Sequence, residues 1–202
     1  MPAMRFASLT LFAALAACGG GAVPSNDVAP VENAMVLGNA VEAPASPVPT
    51  ATAAAGPLLN LAPAALSFVD GASGRAREVP FGTAREPVLT ATTAALGNQT
   101  GAGRNEECGE GAMDYVRFDG LSLYFQQGKL VGWFLDSAKQ GLTTASGVGI
   151  GSTRKAVESA YAVSVDETSL GTEFSTESGD FGGILEKGKV TAMWSGQVCQ
   201  FR

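Results

Sequence analysis

Two stretches of this chain spell the same local structure, and a sequence that repeats its own folding signals must find a way to pack the copies together. Phe81-Gly82-Thr83-Ala84-Arg85-Glu86-Pro87-Val88 aligns with Ile150-Gly151-Ser152-Thr153-Arg154-Lys155-Ala156-Val157, sixty-nine positions on. Each runs from an apolar residue through a glycine and a hydroxyl residue into a helical pattern. Thr83 with Glu86 three residues later has the spacing of a capping box, and Ser152 is an N-cap of the same kind without the reciprocal acid. The first helix continues through Leu89, Thr92 and Leu96 to a stop at Gly97; the second is shorter and ends near Tyr161.

Strand signals follow each helix. Asp114 to Phe118, Leu121 to Gln126 and Lys129 to Leu135 are joined at Asp119-Gly120 and Gln127-Gly128, dipeptides that favour tight antiparallel hairpins. The later half offers Phe181 to Glu186, a turn at Lys187-Gly188, and Lys189 to Ser195. Gln127-Gly128-Lys129-Leu130 matches Lys187-Gly188-Lys189-Val190, and Trp133-Phe134 falls against Met193-Trp194. The spacing predicts an α+β fold: two degenerate α-β-β-β units with antiparallel meander sheets, spanning about 81–136 and 147–202.

Alternation then assigns faces. Leu121, Leu123 and Phe125 point to one side, and Ser122, Tyr124 and Gln126 to the other. In the next strand Leu130 and Phe134 are expected on one face and Val131, Trp133 and Leu135 on the other. A strand apolar on both faces must be covered on both. One cover is the helix of its own unit; the other is the second unit, the segment Leu58 to Val69, or a partner protein.

The body that holds the repeat, residues 57–202, has the length of one domain. Residues 18–56 are Ala, Pro, Gly, Val and Asn with three acids and no Lys or Arg, too polar and proline-broken to bury a core. As a flexible tether such a segment spans roughly 35 Å end to end. Before it, Arg5, an apolar run from Phe6 to Ala17 and Leu15-Ala16-Ala17-Cys18 resemble the signal peptide and lipobox of bacterial lipoproteins. The run is too short for a membrane-spanning helix, which needs roughly 20 residues. The resemblance implies removal of residues 1–17 and acylation of Cys18. Each acyl chain adds about 0.8 kcal/mol per buried methylene, so two or more hold the protein to a bilayer without spanning it. Gly19, where inner-membrane retention signals often place Asp, implies the periplasmic face of the outer membrane.

The whole chain carries a net charge of -6, and removal of residues 1–17 takes away one cation, Arg5, leaving -7. An acidic body argues against nucleic acid and against electrostatic attraction to anionic lipid. In an oxidising envelope compartment the cysteines left beside Cys18, Cys108 and Cys199, most simply form a disulfide. The rival is a metal site completed by Glu106, Glu107 or Glu110; with no histidine in the chain it lacks the usual zinc ligands, and no metal or other cofactor is expected.

Catalysis has little to work with. Without histidine there is no Ser-His or Cys-His nucleophile pair, and no Gly-x-Ser-x-Gly elbow occurs. Ser152-Thr153-Arg154-Lys155 has the S-x-x-K spacing of penicillin-binding enzymes, but the companion Lys-Thr-Gly is missing and Thr83 fills the same place in the first repeat. Gly147-Val148-Gly149-Ile150-Gly151 fits neither the dinucleotide fingerprint nor the P-loop, and Asn98-Gln99-Thr100 is a chance glycosylation pattern in such a protein. An enzyme using carboxylates such as Glu107 and Asp114 is the weakest reading. Tyr115, Tyr124, Trp133 and Trp194 are the aromatic candidates for a partner-binding face.

The apolar-Gly-Ser/Thr helix start followed by a meander with x-Gly-Lys-apolar turns, twice over, resembles the β-lactamase-inhibitory-protein-type fold. That grouping includes the SmpA/OmlA small assembly lipoproteins of the outer membrane. The resemblance covers Phe81 to Ser195. The run from Asn105-Glu106-Glu107-Cys108-Gly109 through Gly132-Trp133 to Gly149-Ile150-Gly151-Ser152-Thr153-Arg154 is similar to uncharacterised proteobacterial lipoproteins. What the resemblance implies is binding of an envelope protein through the sheet, without chemistry. The alternative expectation is a small-molecule or cell-wall-fragment binder using a cleft between the two units.

Overall fold

The computed structural model describes residues 56–199. The signal peptide, nearly all of the tether and the lipidation residue Cys18 lie outside them. Among the described residues the fold is mostly β: two antiparallel sheets, of three and eight strands, with two helices.

The small sheet is a meander of β1 (Leu58–Ala62), β2 (Ala65–Val69) and β3 (Ala76–Pro80). After it come α1 (Arg85–Leu96), β4 (Gly101–Asn105), β5 (Met113–Phe118), β6 (Leu121–Gln126) and β7 (Lys129–Leu135). Then α2 (Arg154–Ala160) is followed by β8 (Val163–Thr168), β9 (Gly171–Thr176), β10 (Phe181–Glu186) and β11 (Lys189–Gly196). The large sheet runs β4-β5-β6-β7-β11-β10-β9-β8, so each helix leads into four consecutive antiparallel strands and the two runs meet where β7 pairs β11. Four strands per run, not the three expected, is the first correction. Gly101-Ala102-Gly103-Arg104-Asn105 and the polar β8–β9 hairpin carry too few apolar residues to announce themselves.

The hairpin turns form as their dipeptides require. Gln127 and Gly128 have φ of 51° and 74°, and Lys187 and Gly188 have 51° and 75°, two successive positive values whose twist suits a two-residue hairpin. The helix starts, by contrast, depart from the capping expectation. The Thr83 hydroxyl donates to the Pro80 carbonyl, and α1 begins after Ala84 with no side-chain cap. In α2 the cap is Thr153, whose Oγ1 accepts from Ala156 N–H, while the Ser152 hydroxyl accepts from Gly149 N–H. The reason is tertiary: both pre-helix segments lie on the hairpin end beside them. Gly82 N–H donates to Leu130 O, Leu130 N–H to Thr83 O and Arg85 N–H to Gly128 O; Gly151, Val190 and Arg154 donate to Val190 O, Ser152 O and Gly188 O in the same pattern.

Simple alternation also fails in β7. Phe125 pairs Leu130 and Tyr124 pairs Gly132, which leaves Val131 as an extra residue, a β-bulge. The bulge flips the parity beyond it. Leu130, Trp133 and Leu135 therefore share the main core, and Val131 and Phe134 turn to the opposite side. Thr191 is the corresponding extra residue in β11, between Leu185↔Val190 and Ile184↔Ala192.

The main core lies between the large sheet and a layer made of the small sheet and the helices. Leu59, Leu61, Leu66 and Phe68 join Val88 of α1 and Val157 of α2 against Leu123, Phe125, Trp133, Phe181 and Met193. Of the three covers open to β7, the Leu58–Val69 segment and the later half of the chain both contribute. Trp133 is 0% exposed; its Nε1–H donates to Ala62 O at 3.0 Å and its ring lies 6.1 Å from that of Phe181. Val148 is buried in the same core, so the glycine-rich stretch 147–151 is a packed turn, and Gly149 has no room for a side chain because a Cβ would lie 2.6 Å from Leu142 O.

Candidate functional site

The face of the large sheet turned away from the helices is built from residues of the opposite parity to the core. Tyr115 and Arg117 come from β5, Ser122 and Tyr124 from β6, Phe134 from β7 and Trp194 from β11. Among the described residues no helix and no second sheet covers it. Among those residues the loop carrying Cys108 packs there with Val198 and Cys199, against Met113, Tyr115, Tyr124, Val131 and Phe134. The Cys108–Cys199 disulfide joins those two covers, with Cα atoms 5.2 Å apart. Gln197 N–H donates to Val131 O beside it, at the extra residue of the bulge.

Pairing sets the aromatic row. Tyr115 stands opposite Tyr124, and Phe134 opposite Trp194, whose rings stack with centroids 6.4 Å apart across the seam of the two runs. Glycine opposite an aromatic ring lets the ring lie along the sheet. A Cβ on Gly103, the cross-strand neighbour of Tyr115, would sit 2.6 Å from the Tyr115 hydroxyl, and one on Gly182, opposite Trp194, would press 3.4 Å from the indole. The Arg117 guanidinium lies 5.8 Å from the Tyr115 ring centroid, within cation–π range. Burial pushes the Tyr124 phenol above the ordinary tyrosine range, an effect that Arg117 opposes and Asp136 and Tyr115 reinforce.

Three shallow pockets open along this face. One of about 260 Å³ is lined by Asn105, Tyr115, Arg117, Tyr124 and Cys199; one of about 190 Å³ by Arg117, Asp119, Ser122 and Asp136. The third, about 300 Å³, lies on the later run between Asp166, Glu173, Ser175 and Trp194. The runs are hydrogen-bonded edge to edge at Met193–Gly196 against Gly132–Leu135, the seam where the alternative reading places a cleft.

Of the four aromatic candidates, the fold brings Tyr115, Tyr124 and Trp194 to one face and puts Trp133 on the other side of the sheet, inside the core. Trp133 is a correction: the bulge at Val131 turns it inward. Phe134 and Arg117 belong to the face and were not singled out from the sequence. The signal that marks such positions is a glycine in the neighbouring strand, as with Gly103 and Gly182. Asp114, named for the carboxylate-enzyme reading, is held by Arg104 at 3.2 Å and Arg85 at 3.9 Å. Glu106 pairs with Arg104 at 2.7 Å, and Glu107 and Glu110 lie on the exposed loop around the disulfide. No protein-family model, no curated protein and no solved structure matches this chain.

Proposed function

We propose that this chain is an envelope lipoprotein, held to the outer membrane through acylated Cys18, whose domain binds another envelope protein through the outer face of its large sheet and carries out no chemistry. The domain is read as two degenerate helix-plus-strand units fused into one sheet. Supporting this, the backbone hydrogen bonds that tie the two helix starts to their hairpins correspond one for one, and the bulges at Val131 and Thr191 correspond as well. The seam is self-symmetric too: Phe134 pairs Trp194, its own counterpart in the repeat.

The observation that carries the function is the row Tyr115, Tyr124, Phe134 and Trp194, its rings packed flat on the sheet with Tyr124 and Trp194 buried and Tyr115 and Phe134 half-buried, beside the exposed Arg117, on a sheet face over which no helix or second sheet lies among the described residues. Tyr, Trp and Arg are the side chains that most often anchor protein partners. The resemblance to the β-lactamase-inhibitory-protein-type fold points the same way. A small-molecule reading is less well served on this face, because its pockets of about 190, 260 and 300 Å³ sit at or below the lower end of ligand cavities, roughly 300 to 1,000 Å³.

A photo-crosslinking residue placed at Arg117 or Asp136 in the acylated full chain, expressed in cells, tests the reading against one placed at Thr93 of α1 or Glu158 of α2. The expected result is one defined adduct from the sheet-face positions, lost when Tyr115 or Trp194 is changed to alanine. Equal capture from the helix positions, or an adduct indifferent to those substitutions, refutes it.

A further inference from the structure

An open pocket lies away from the sheet face, where the β2–β3 hairpin meets α1. It is a groove open to solvent with a volume of about 560 Å³, within the range of ligand sites. Its apolar walls are Phe68, which belongs to the main core, with Pro57, Ala76 and Ala91. Its polar rim is Arg75, Arg77, Ser73 and Asp70. Arg75 precedes β3 and Arg77 lies in it, and both line the pocket. Both are exposed, and neither makes an ion pair among the described residues. Asp70, the one acid on the rim, accepts at Oδ1 from the Ser73 hydroxyl, Ser73 N–H and Ala72 N–H, bonds that hold its carboxyl below the usual aspartate range and so keep it anionic. Its role is to set the hairpin tip, where Asp70 and Arg75 are also joined through their backbones. Against that one negative charge stand two planar, permanently charged guanidinium groups, which leaves the rim a net positive charge beside an apolar floor.

We propose that this cavity binds a small amphiphile, a hydrocarbon body seated on Phe68 and Ala91 with an anionic head held by Arg75 and Arg77. Guanidinium groups recognise carboxylates through paired, charge-assisted hydrogen bonds, which gives the head its orientation, while the body gains from leaving water. The site is separate from the sheet face, so neither proposal depends on the other.

Titration calorimetry of the full chain with decanoate, held below its micelle concentration, and with uncharged decanamide is the direct test. Saturable one-to-one binding of decanoate is expected, at least tenfold tighter than decanamide. The Arg75→Ala/Arg77→Ala variant, altered at exposed positions that leave the core intact, should lose at least tenfold in decanoate affinity and little for decanamide. Ala91→Trp, which fills the cavity and spares the arginines, should abolish binding of both, with its folding checked by thermal melting. No saturable binding, or equal affinity in the double arginine variant, overturns the proposal. Binding to anionic phospholipid vesicles that needs the arginines but ignores Ala91→Trp in a folded variant also overturns it, assigning the arginines to a membrane surface.

Discussion

Removing the disulfide is the sharpest test of how the sheet face is held together. Cys108 and Cys199 are 91 positions apart, so the bridge closes nearly the whole sequence from β5 to the chain end. Loop-closure entropy for that length gives about 4.6 kcal/mol of stabilisation, acting through the unfolded chain. In a domain of this size each kcal/mol moves the melting temperature by roughly 2 to 4 °C, so Cys108→Ala/Cys199→Ala should melt roughly 10 to 18 °C lower. The two single variants lose the same cross-link and should each fall nearly as far as the double, a strong departure from additivity. Urea unfolding supplies a second reading: an unfolded state freed of its loop is more expanded, so the m-value should rise. Natively, the Gln197 amide bonded to Val131 O should exchange with solvent far faster than in the bridged protein, because the chain end is no longer pinned on Tyr124 and Phe134. A stability loss below about 1 kcal/mol with an unchanged m-value would refute the reasoning.

Other outcomes follow from the same geometry. Trp133→Phe leaves Ala62 O without its indole donor and opens space in the core, so it should cost about 2 to 4 kcal/mol by urea titration while sheet-face crosslinking of the surviving folded protein is unchanged. Thr153→Ala removes the side-chain cap of α2 and should cost about 1 kcal/mol, whereas Thr83→Ala removes no cap from α1 and should cost less; the reverse order in denaturant melts would mean the helix starts are misassigned. Two titrations carry opposite signs. Tyr124, raised chiefly by burial, contributes stability that is full below the unfolded tyrosine pKa near 10 and is lost as pH climbs through its higher folded value, which Tyr124→Phe should abolish in an alkaline melt. Asp180, lowered first by the Ser178 hydroxyl and then by Thr176, contributes stability present above the unfolded aspartate pKa and lost as pH falls through its lower folded value; a carboxyl carbon titration placing its midpoint at or above the ordinary aspartate range would refute this.

Much of the large sheet was legible in the chain. Leu121–Gln126, Lys129–Leu135 and Phe181–Glu186 have the expected bounds, because Asp119-Gly120, Gln127-Gly128 and Lys187-Gly188 mark their ends through backbone preferences that act over two residues. The Cys108–Cys199 bridge matches the pairing expected if Cys18 is set aside for lipid. Three of the four aromatic candidates share one face, but the chain alone did not separate them from Trp133.

Sequence by itself determined the turns, the approximate helix positions and the repeated signals, all of which depend on residue chemistry at short range. Tertiary structure alone decided which way the second half of β7 faces, since an extra residue at Val131 exists only relative to the partner strand β6. It decided that Thr83 and Ser152 would not cap their helices, because the hairpin ends claim the backbone around them. It also made strands of Gly101–Asn105 and Gly171–Thr176, whose side chains say little and whose ladders are supplied by β5 and β10. The physical reason is common to all three: a strand's pairing and its exposed side are properties of the neighbour it bonds to, and no local preference encodes that neighbour.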